Sequence, residues 1–322
     1  MRPTQSTFPV TGFELFQKMT RRASFLAQME QVVPWKELCA VVEAHYPKGD
    51  RGRPPVGLER MLRIYFLQQW FNLSDPAMEE SLYDSAAMRI FVGIDLGREP
   101  VPDETTVCKF RHLLEENKLG EALFEQVHRH LESQGIRISR GTIVDASIID
   151  APSSTKNAKQ ERDPDMHQTR KGQQWYFGMK AHIGVATTEH KIIHSVVATA
   201  ANVADNAVLE NLLHGNETRV YGDQAYKGKG ELIRQCAPEA KDFTNRTYRR
   251  KGQIDEVERA KNRRKSSVRS KVEHAFHVIK RIFGFVKVSY RGLEKNANRL
   301  FVTCALANLY MVRRMLLRPS GA

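Results

Sequence analysis

The sequence predicts an α/β protein: a mixed-direction sheet flanked by helices, preceded by an all-helical N-terminal region. Three observations predict it. Residues 58–134 read as consecutive short helices separated by sharp capping turns. At Gly141 the apolar period changes, and Thr142-Ile143-Val144-Asp145-Ala146-Ser147-Ile148-Ile149 is β-branched and apolar, the pattern of a central strand. From there the order is strand, hairpin, helix, strand, helix, long insert and helix.

Taken in order, residues 1–57 form an N-terminal arm. Helical apolar spacing over 13–29 carries Arg21-Arg22, and Pro34, Pro47, Gly49 and Arg51-Gly52-Arg53-Pro54-Pro55 break the remainder into turns. Such an arm fits either a loose extension or a strand laid along nucleic acid. Residues 58–138 are a helical domain. Residues 59–71 are amphipathic, Ser74-Asp75-Pro76 is a cap with proline in the first turn, and Pro102-Asp103-Glu104-Thr105-Thr106 caps a further helix. These helices suit a helix-turn-helix with Thr105, Thr106 and Lys109 at its reading end. They suit a packing or dimerisation unit equally well.

Residues 139–318 make up the α/β domain. A polar loop over 151–174 carries Asp163-Pro164-Asp165, and loops of that length are usually functional or mobile. Residues 180–186 and 192–199 flank a turn and predict a hairpin, and 205–214 predict a helix capped by Asp205. A short strand over 218–222 runs into Asp223. A helix at 229–236, a basic insert at about 241–268, a helix through Glu273 and a closing helix at 300–317 complete the chain.

At 322 residues the chain can bury a sizeable core, and its 41 % hydrophobic and 27 % charged residues are those of a soluble globular protein. Its formal charge of +13 favours a polyanionic partner. The excess is concentrated: between Arg246 and Lys271 eleven Lys and Arg face three acids, whereas 58–97 carries three Arg against six acids. A polyanion is therefore expected on the C-terminal half. The four cysteines have no zinc-like spacing, which points to a reducing compartment without a disulfide framework. No apolar leader opens the chain, and the run 300–312 is too short to span a bilayer, so the expected location is cytoplasmic.

The candidate site centres on residues 266–281. At 100° per residue Arg269, Glu273, His277 and Lys280 share one face, while Val272, Ala275, Phe276, Val278, Ile279, Ile282 and Phe283 form the opposite apolar arc. Asp145 lies inside an apolar strand, an expensive place for a charge unless something positive binds there. Asp223 ends a neighbouring strand. Asp150 and Asp205 read as strand-end and capping residues. Carboxylates brought together from strands and a helix are what hard, oxygen-preferring Mg²⁺ needs beside substrate phosphates.

Several stretches carry a family resemblance. They are Asn72-Leu73-Ser74-Asp75 with Ala77-Met78-Glu79, Phe110-Arg111-His112-Leu113-Leu114-Glu115, Gly141-Thr142-Ile143-Val144-Asp145-Ala146 and Ala151-Pro152-Ser153-Ser154-Thr155-Lys156-Asn157. Trp175 with Phe177-Gly178-Met179-Lys180-Ala181-His182-Ile183-Gly184, Asn308-Leu309, and Arg269-x3-Glu273-x6-Lys280 continue the match. Over nearly its full length the chain resembles the bacterial insertion-sequence DDE transposases of the group named after insertion sequence five. It departs at Ser266, where the wider family pattern has Tyr.

The resemblance implies an RNase H-like catalytic domain in which Asp145, Asp223 and Glu273 bind two Mg²⁺ ions, with Mn²⁺ as a substitute. It implies cleavage of double-stranded DNA at the terminal inverted repeats and transfer of the freed 3′-hydroxyl to target DNA, by a homodimer or larger assembly. Arg269 and Lys280 would hold phosphates. Trp175 is a candidate for stacking on an unpaired base, or is a core aromatic. Lys180 is a candidate phosphate contact and His182 a structural residue. Arg249, Arg250, Arg263, Arg264 and Lys265 in the basic runs are expected on the DNA backbone. The rival readings are a simple RNase H-like nuclease or junction resolvase, and a DNA-binding remnant without activity.

Overall fold

A computed structural model describes residues 18–49, 54–137, 140–156, 160–250 and 253–318. The start of the expected helix at 13–17, the Arg51-Gly52-Arg53 cluster, Asn157 and Lys251 lie outside the described residues.

Among the described residues, seven helices precede the sheet: α1 (Arg21–Val32), α2 (Trp35–Glu43), α3 (Leu58–Phe71), α4 (Asp75–Asp84), α5 (Ala86–Val92), α6 (Glu104–Glu116) and α7 (Leu119–Ser133). The starts of α4 and α6 follow the caps read in the sequence. Ser74 accepts from the Ala77 N–H and Asp103 from the Thr106 N–H, each closing one of the orphan donors of a helix start. Helix α3 is apolar on nearly all sides, and Met61, Leu62, Ile64, Tyr65, Phe66, Leu67 and Trp70 are buried, as in a helix surrounded by others.

The expected N-terminal arm is a correction. From Arg21 onward it is two packed helices, with Leu26, Met29, Leu38 and Val42 buried. The Phe25 ring meets Trp70 edge-on at 5.4 Å, and Trp35 lies 5.5 Å from Phe66. Of the prolines and glycine that suggested a loose segment, Pro34 stands at the start of α2, and Pro47, Gly49, Pro54 and Pro55 fall between α2 and α3.

The sheet is built from β1 (Gly141–Asp150), β2 (His167–Lys171), β3 (Gln174–Ala186), β4 (Ile193–Ala200), β5 (Arg219–Tyr221) and β6 (Lys241–Asp242). Strand β3 runs antiparallel to β1 along one side, and β2 and β4 pair antiparallel along its other side. Strands β5 and β6 add in parallel beyond β1, so the sheet is mixed. Strand β2 falls inside the stretch expected to be a loop, and β3 begins at Gln174 rather than at Lys180. Ahead of β2, Asp163 accepts from the Gly292 N–H at 2.7 Å and Asp165 from the Leu293 N–H at 3.0 Å. These are the first free donors of the last helix, α11 (Leu293–Leu316), and a negative charge is favourable there.

Alternation along β1 separates two cores. Ile143 and Ile149 belong to the large core, which runs unbroken from the N-terminal helices through the sheet to α11. Val144 faces a smaller cluster with Leu209, Leu212, Val220, Tyr226 and Ile233, under a 3-10 helix at Asp205–Leu212 and α8 (Gly230–Cys236). Asp145 and Ser147 share the parity of Ile143, so they point toward the large-core face.

Helix α11 ties the parts together. Asn308 grips β4 by accepting from the Ile193 N–H and donating to its carbonyl, both at 2.8 Å. Asn298 accepts from Gly120 at the start of α7, where a Cβ would stand 2.4 Å from the Asn298 carbonyl oxygen, so only glycine allows the approach. Among the described residues no helix is long and apolar enough to cross a membrane.

Candidate active site

Asp145 and Asp223 become neighbours through the register of the parallel pair. Ile143 lies opposite Tyr221, and each aspartate stands two residues further along its own chain. Asp223 is fixed where β5 ends, because its carboxylate accepts from the Ala225 N–H at 2.8 Å and caps a short turn. Glu273 comes from the opposite wall, on α10 (Lys271–His277), which follows α9 (Glu256–Arg269) through Ser270. Val272, Ala275 and Phe276 bury the back of α10, which leaves Glu273 and His277 facing outward.

The three carboxylates line one open pocket of about 680 Å³, together with Arg269, His274, His277, Lys280, Arg281 and Lys171. Asp145 is far more enclosed than Glu273, with its side chain 15 % exposed against 65 %. Burial pushes its carboxyl up to about 6, and the charges of Asp223 and Glu273 act in the same direction. The Ala146 N–H and Arg269 oppose them. Arg269 donates to Asp145 Oδ2 at 3.0 Å and stands 4.0 Å from Glu273 Oε1.

Among the described residues no three His, Cys, Asp or Glu side chains already stand close enough to hold a metal ion. The donor chemistry nevertheless suits one. Three carboxylates and no thiolate form the oxygen set that Mg²⁺ prefers. Their mutual repulsion raises the proton affinity of Asp145, and a cation relieves such a field.

The helical face read in the sequence is kept as far as Glu273 and His277, then changes. Residues Val278–Ile282 form a π turn, whose extra residue per turn advances the following side chains around the axis. Ile282, placed on the apolar arc by regular spacing, is therefore exposed. Lys280 turns its Nζ to the Ile148 carbonyl of β1 and is half-buried.

The other expected contacts divide. Lys180 does not line the pocket. Its Nζ pairs with Asp205 at 2.8 Å and donates to the Val203 carbonyl at 2.7 Å. Asp205 is correspondingly an ion-pair partner and caps no helix. Lys265 lies 3.5 Å from Glu258 and donates to the Thr244 carbonyl, which holds α9 on the insert. Arg249 and Arg250 form β7 (Arg249–Arg250), paired with β8 (Gln253–Ile254), and Arg249 is exposed. Arg263 and Arg264 are exposed on α9, and Arg263 lines a neighbouring pocket with Arg246, Tyr248 and Ser266. Ser266 accepts from Asn245 at 3.1 Å.

Trp175 is no core residue: it is 64 % exposed, opposite Arg170 on the β2–β3 hairpin and outside the carboxylate pocket. His182 is buried, bonded to Thr199 Oγ1 at 2.8 Å and pushed down to about 4 by burial. It is structural, as expected.

Lys171 and Arg281 line the pocket although the sequence reading did not single them out. For Lys171 a signal was present. Gly172, with φ +63, sits between Thr169-Arg170-Lys171 and Trp175-Tyr176-Phe177, the mark of a tight hairpin turn.

A family profile described as Transposase DDE domain matches residues 137–309. A second, described as Transposase domain (DUF772), matches residues 13–113. No solved structure matches the chain.

Proposed function

Since the chain belongs to the transposase DDE domain family, we propose that it cuts DNA at the ends of an insertion sequence and joins the freed 3′ ends to target DNA. Within the family we assign it to the group named after insertion sequence five, with an RNase H-like catalytic domain. The observation that carries this reading is the pocket shared by Asp145, Asp223 and Glu273, bordered by Arg269 and Lys280.

In the first step a water oxygen bonds to phosphorus at the element end, the bond to the 3′ oxygen breaks, and that oxygen leaves as a hydroxyl. In the second, the same hydroxyl attacks a target phosphodiester and releases a target 3′-hydroxyl. Both steps are in-line displacements at phosphorus, so one site serves both. Asp145, Asp223 and Glu273 would hold the divalent ions, Mg²⁺ with Mn²⁺ as substitute. When bound, such ions activate the attacking oxygen and stabilise the leaving one.

The protein's own part is to position. Arg269 already binds one acid oxygen and reaches toward another, so it can exchange a carboxylate for a phosphate oxygen at low cost. Lys280 is held at one place by the Ile148 carbonyl. Two inverted ends call for at least two copies of the chain, acting on chromosomal DNA in the cytoplasm. The helices ahead of the sheet read bases or bring the copies together.

The test is Mg²⁺-dependent nicking of a labelled duplex that carries the element end, beside one that lacks it. Asp145→Asn, Asp223→Asn and Glu273→Gln are each expected to abolish nicking while DNA binding persists. Retained nicking in any variant removes that residue from the site. Equal cutting of both duplexes returns the protein to the nuclease or resolvase reading.

A further inference from the structure

The carboxylate pocket has a second, cationic end. Lys171, Lys280 and Arg281 line it, and they arrive from separate elements. Lys171 is the last residue of β2, at the turn of the β2–β3 hairpin, while Lys280 and Arg281 belong to the π turn after α10. Lys280 is engaged by the Ile148 carbonyl. Lys171 and Arg281 are exposed, and among the described residues no hydrogen bond or ion pair engages either side chain. Both nevertheless sit close enough to Lys280 to push its pKa down, beyond what burial does, while Asp150 acts the other way.

Three cations gathered at one spot repel one another, and the fold gains nothing from holding Lys171 and Arg281 there. An anion placed among them reverses the sign of that interaction. The pocket's length says which anion. Arg269 meets β1 at Asp145 and Lys280 meets it at Ile148. Three strand residues span about 10 Å. At roughly 3.4 Å of duplex rise per nucleotide, that is about three nucleotides. A strand with one phosphodiester at the carboxylates therefore carries a neighbouring phosphate to the cations.

We propose that Lys171 and Arg281, with Lys280, form a phosphate-binding wall that grips the DNA strand within a few nucleotides of the bond being cut. The wall rests on the transposase reading above, since that reading supplies the DNA strand. It also accounts for the β2–β3 hairpin, which carries Lys171 to the pocket while Asp163 and Asp165 tether the chain ahead of it to the start of α11.

The test measures binding of the full-length protein to a fluorescent duplex taken from the boundary of its own element, across a salt series with Ca²⁺ in place of Mg²⁺. Lys171→Gln and Arg281→Gln are each expected to weaken binding and to lower the slope of log K against log salt by about 0.9, and the double variant by roughly twice that. Lys171→Arg should restore the slope. A duplex with one uncharged methylphosphonate within three nucleotides of the cut should bind wild type less well, and should cost the double variant, which keeps only Lys280 of the wall, less than it costs wild type. Unchanged circular dichroism and melting are expected, because neither side chain has a partner to lose. A double variant with the wild-type slope, while wild type still nicks the element end, overturns the wall alone. A wild type that neither binds nor nicks the duplex overturns the transposase reading beneath it.

Discussion

Arg269 Nη1 stands 3.0 Å from Asp145 Oδ2 and 4.0 Å from Glu273 Oε1, so one guanidinium bridges acids from opposite walls of the pocket. Among the described residues it is the cation paired with both Asp145 and Glu273. Without it, the Asp145 carboxylate keeps its burial and its two like-charged neighbours and loses the one cation that lowers its pKa. Arg269→Gln is therefore expected to raise that pKa further and to destabilise the metal-free protein where Asp145 is ionised. The loss should be about 1–3 kcal/mol at pH 8, between surface and buried pairs in magnitude, and should shrink as pH falls through 6. Thermal melts of both proteins at pH 5 and pH 8 measure it. A constant difference across that range would mean that the pair carries no pH-dependent energy.

Asp145→Asn reads the same energy from the other side. The folded carboxyl titrates at about 6 and the unfolded one at 3.8. Below 3.8 both states hold the proton, and no penalty arises. Between 3.8 and 6 the unfolded chain releases its proton first, so folding becomes progressively less favourable as pH rises. Above 6 the penalty is constant, on the order of 3 kcal/mol at 1.36 kcal/mol per unit. Asparagine can still accept from Arg269 but has no charge to desolvate. The variant should melt higher than wild type at pH 7.5, with the gain fading toward pH 4, while losing nicking altogether. Such a trade of stability for function is common at active sites. A lower melting temperature at pH 7.5 would contradict it.

Lys180 separates structural cations from DNA-binding ones. It alternates on β3 in a way that suggested a phosphate contact, yet its Nζ is taken by Asp205 and the Val203 carbonyl. Lys180→Met should lower stability by roughly 1–3 kcal/mol, since Asp205 is left half-buried without its partner. The salt slope of DNA binding should not move. A slope reduced by about one would restore Lys180 to the DNA surface.

The contrast shows what the sequence carries. Asp145, Asp223 and Glu273 line one pocket; in the sequence their positions, a charge in an apolar strand, a carboxylate at a strand end and an acid among cations, made them candidates, and only the family resemblance set them apart from Asp150 and Asp205. Strand β1, the β3–β4 hairpin and the caps at Ser74 and Asp103 followed from period and turn chemistry. Partners distant in sequence were not legible. Nothing local says that Lys180 will meet Asp205, that Lys265 will meet Glu258, or that Asp163 and Asp165 will cap a helix more than a hundred residues away. Strand β2 was hidden because its residues are polar on both faces, as an edge strand over solvent can be. The π turn was hidden because its only sign is a side chain, Ile282, displaced from its expected face.

Arg111 lies where the N-terminal helices meet the closing segment, and it explains two of the family-like stretches at once. It donates to Asp75 and to Glu115, each at 2.8 Å, with its guanidinium 4.1 Å from the centre of the Tyr290 ring. Burial pushes the Asp75 carboxyl up, and hydrogen bonds from Arg111 and Gln68 more than offset that, leaving its pKa below the ordinary value. A depressed carboxylate stabilises the fold above its unfolded pKa, and that contribution is lost as pH falls through the folded one. In Arg111→Met the burial stays and the guanidinium goes, so Asp75 keeps only the Gln68 amide at 2.9 Å and Glu115 only Lys295 at 4.0 Å. The expected loss is about 3–5 kcal/mol near neutral pH, measured by urea denaturation. Protonating the stranded acids should relieve part of it, so the gap from wild type should narrow toward pH 4. Adding Asp75→Asn to Arg111→Met should recover part of the loss at pH 7, because a neutral amide at that place costs less to bury than an unpaired carboxylate. A double variant no more stable than Arg111→Met would show that packing against Tyr290, and not charge, is what Arg111 supplies.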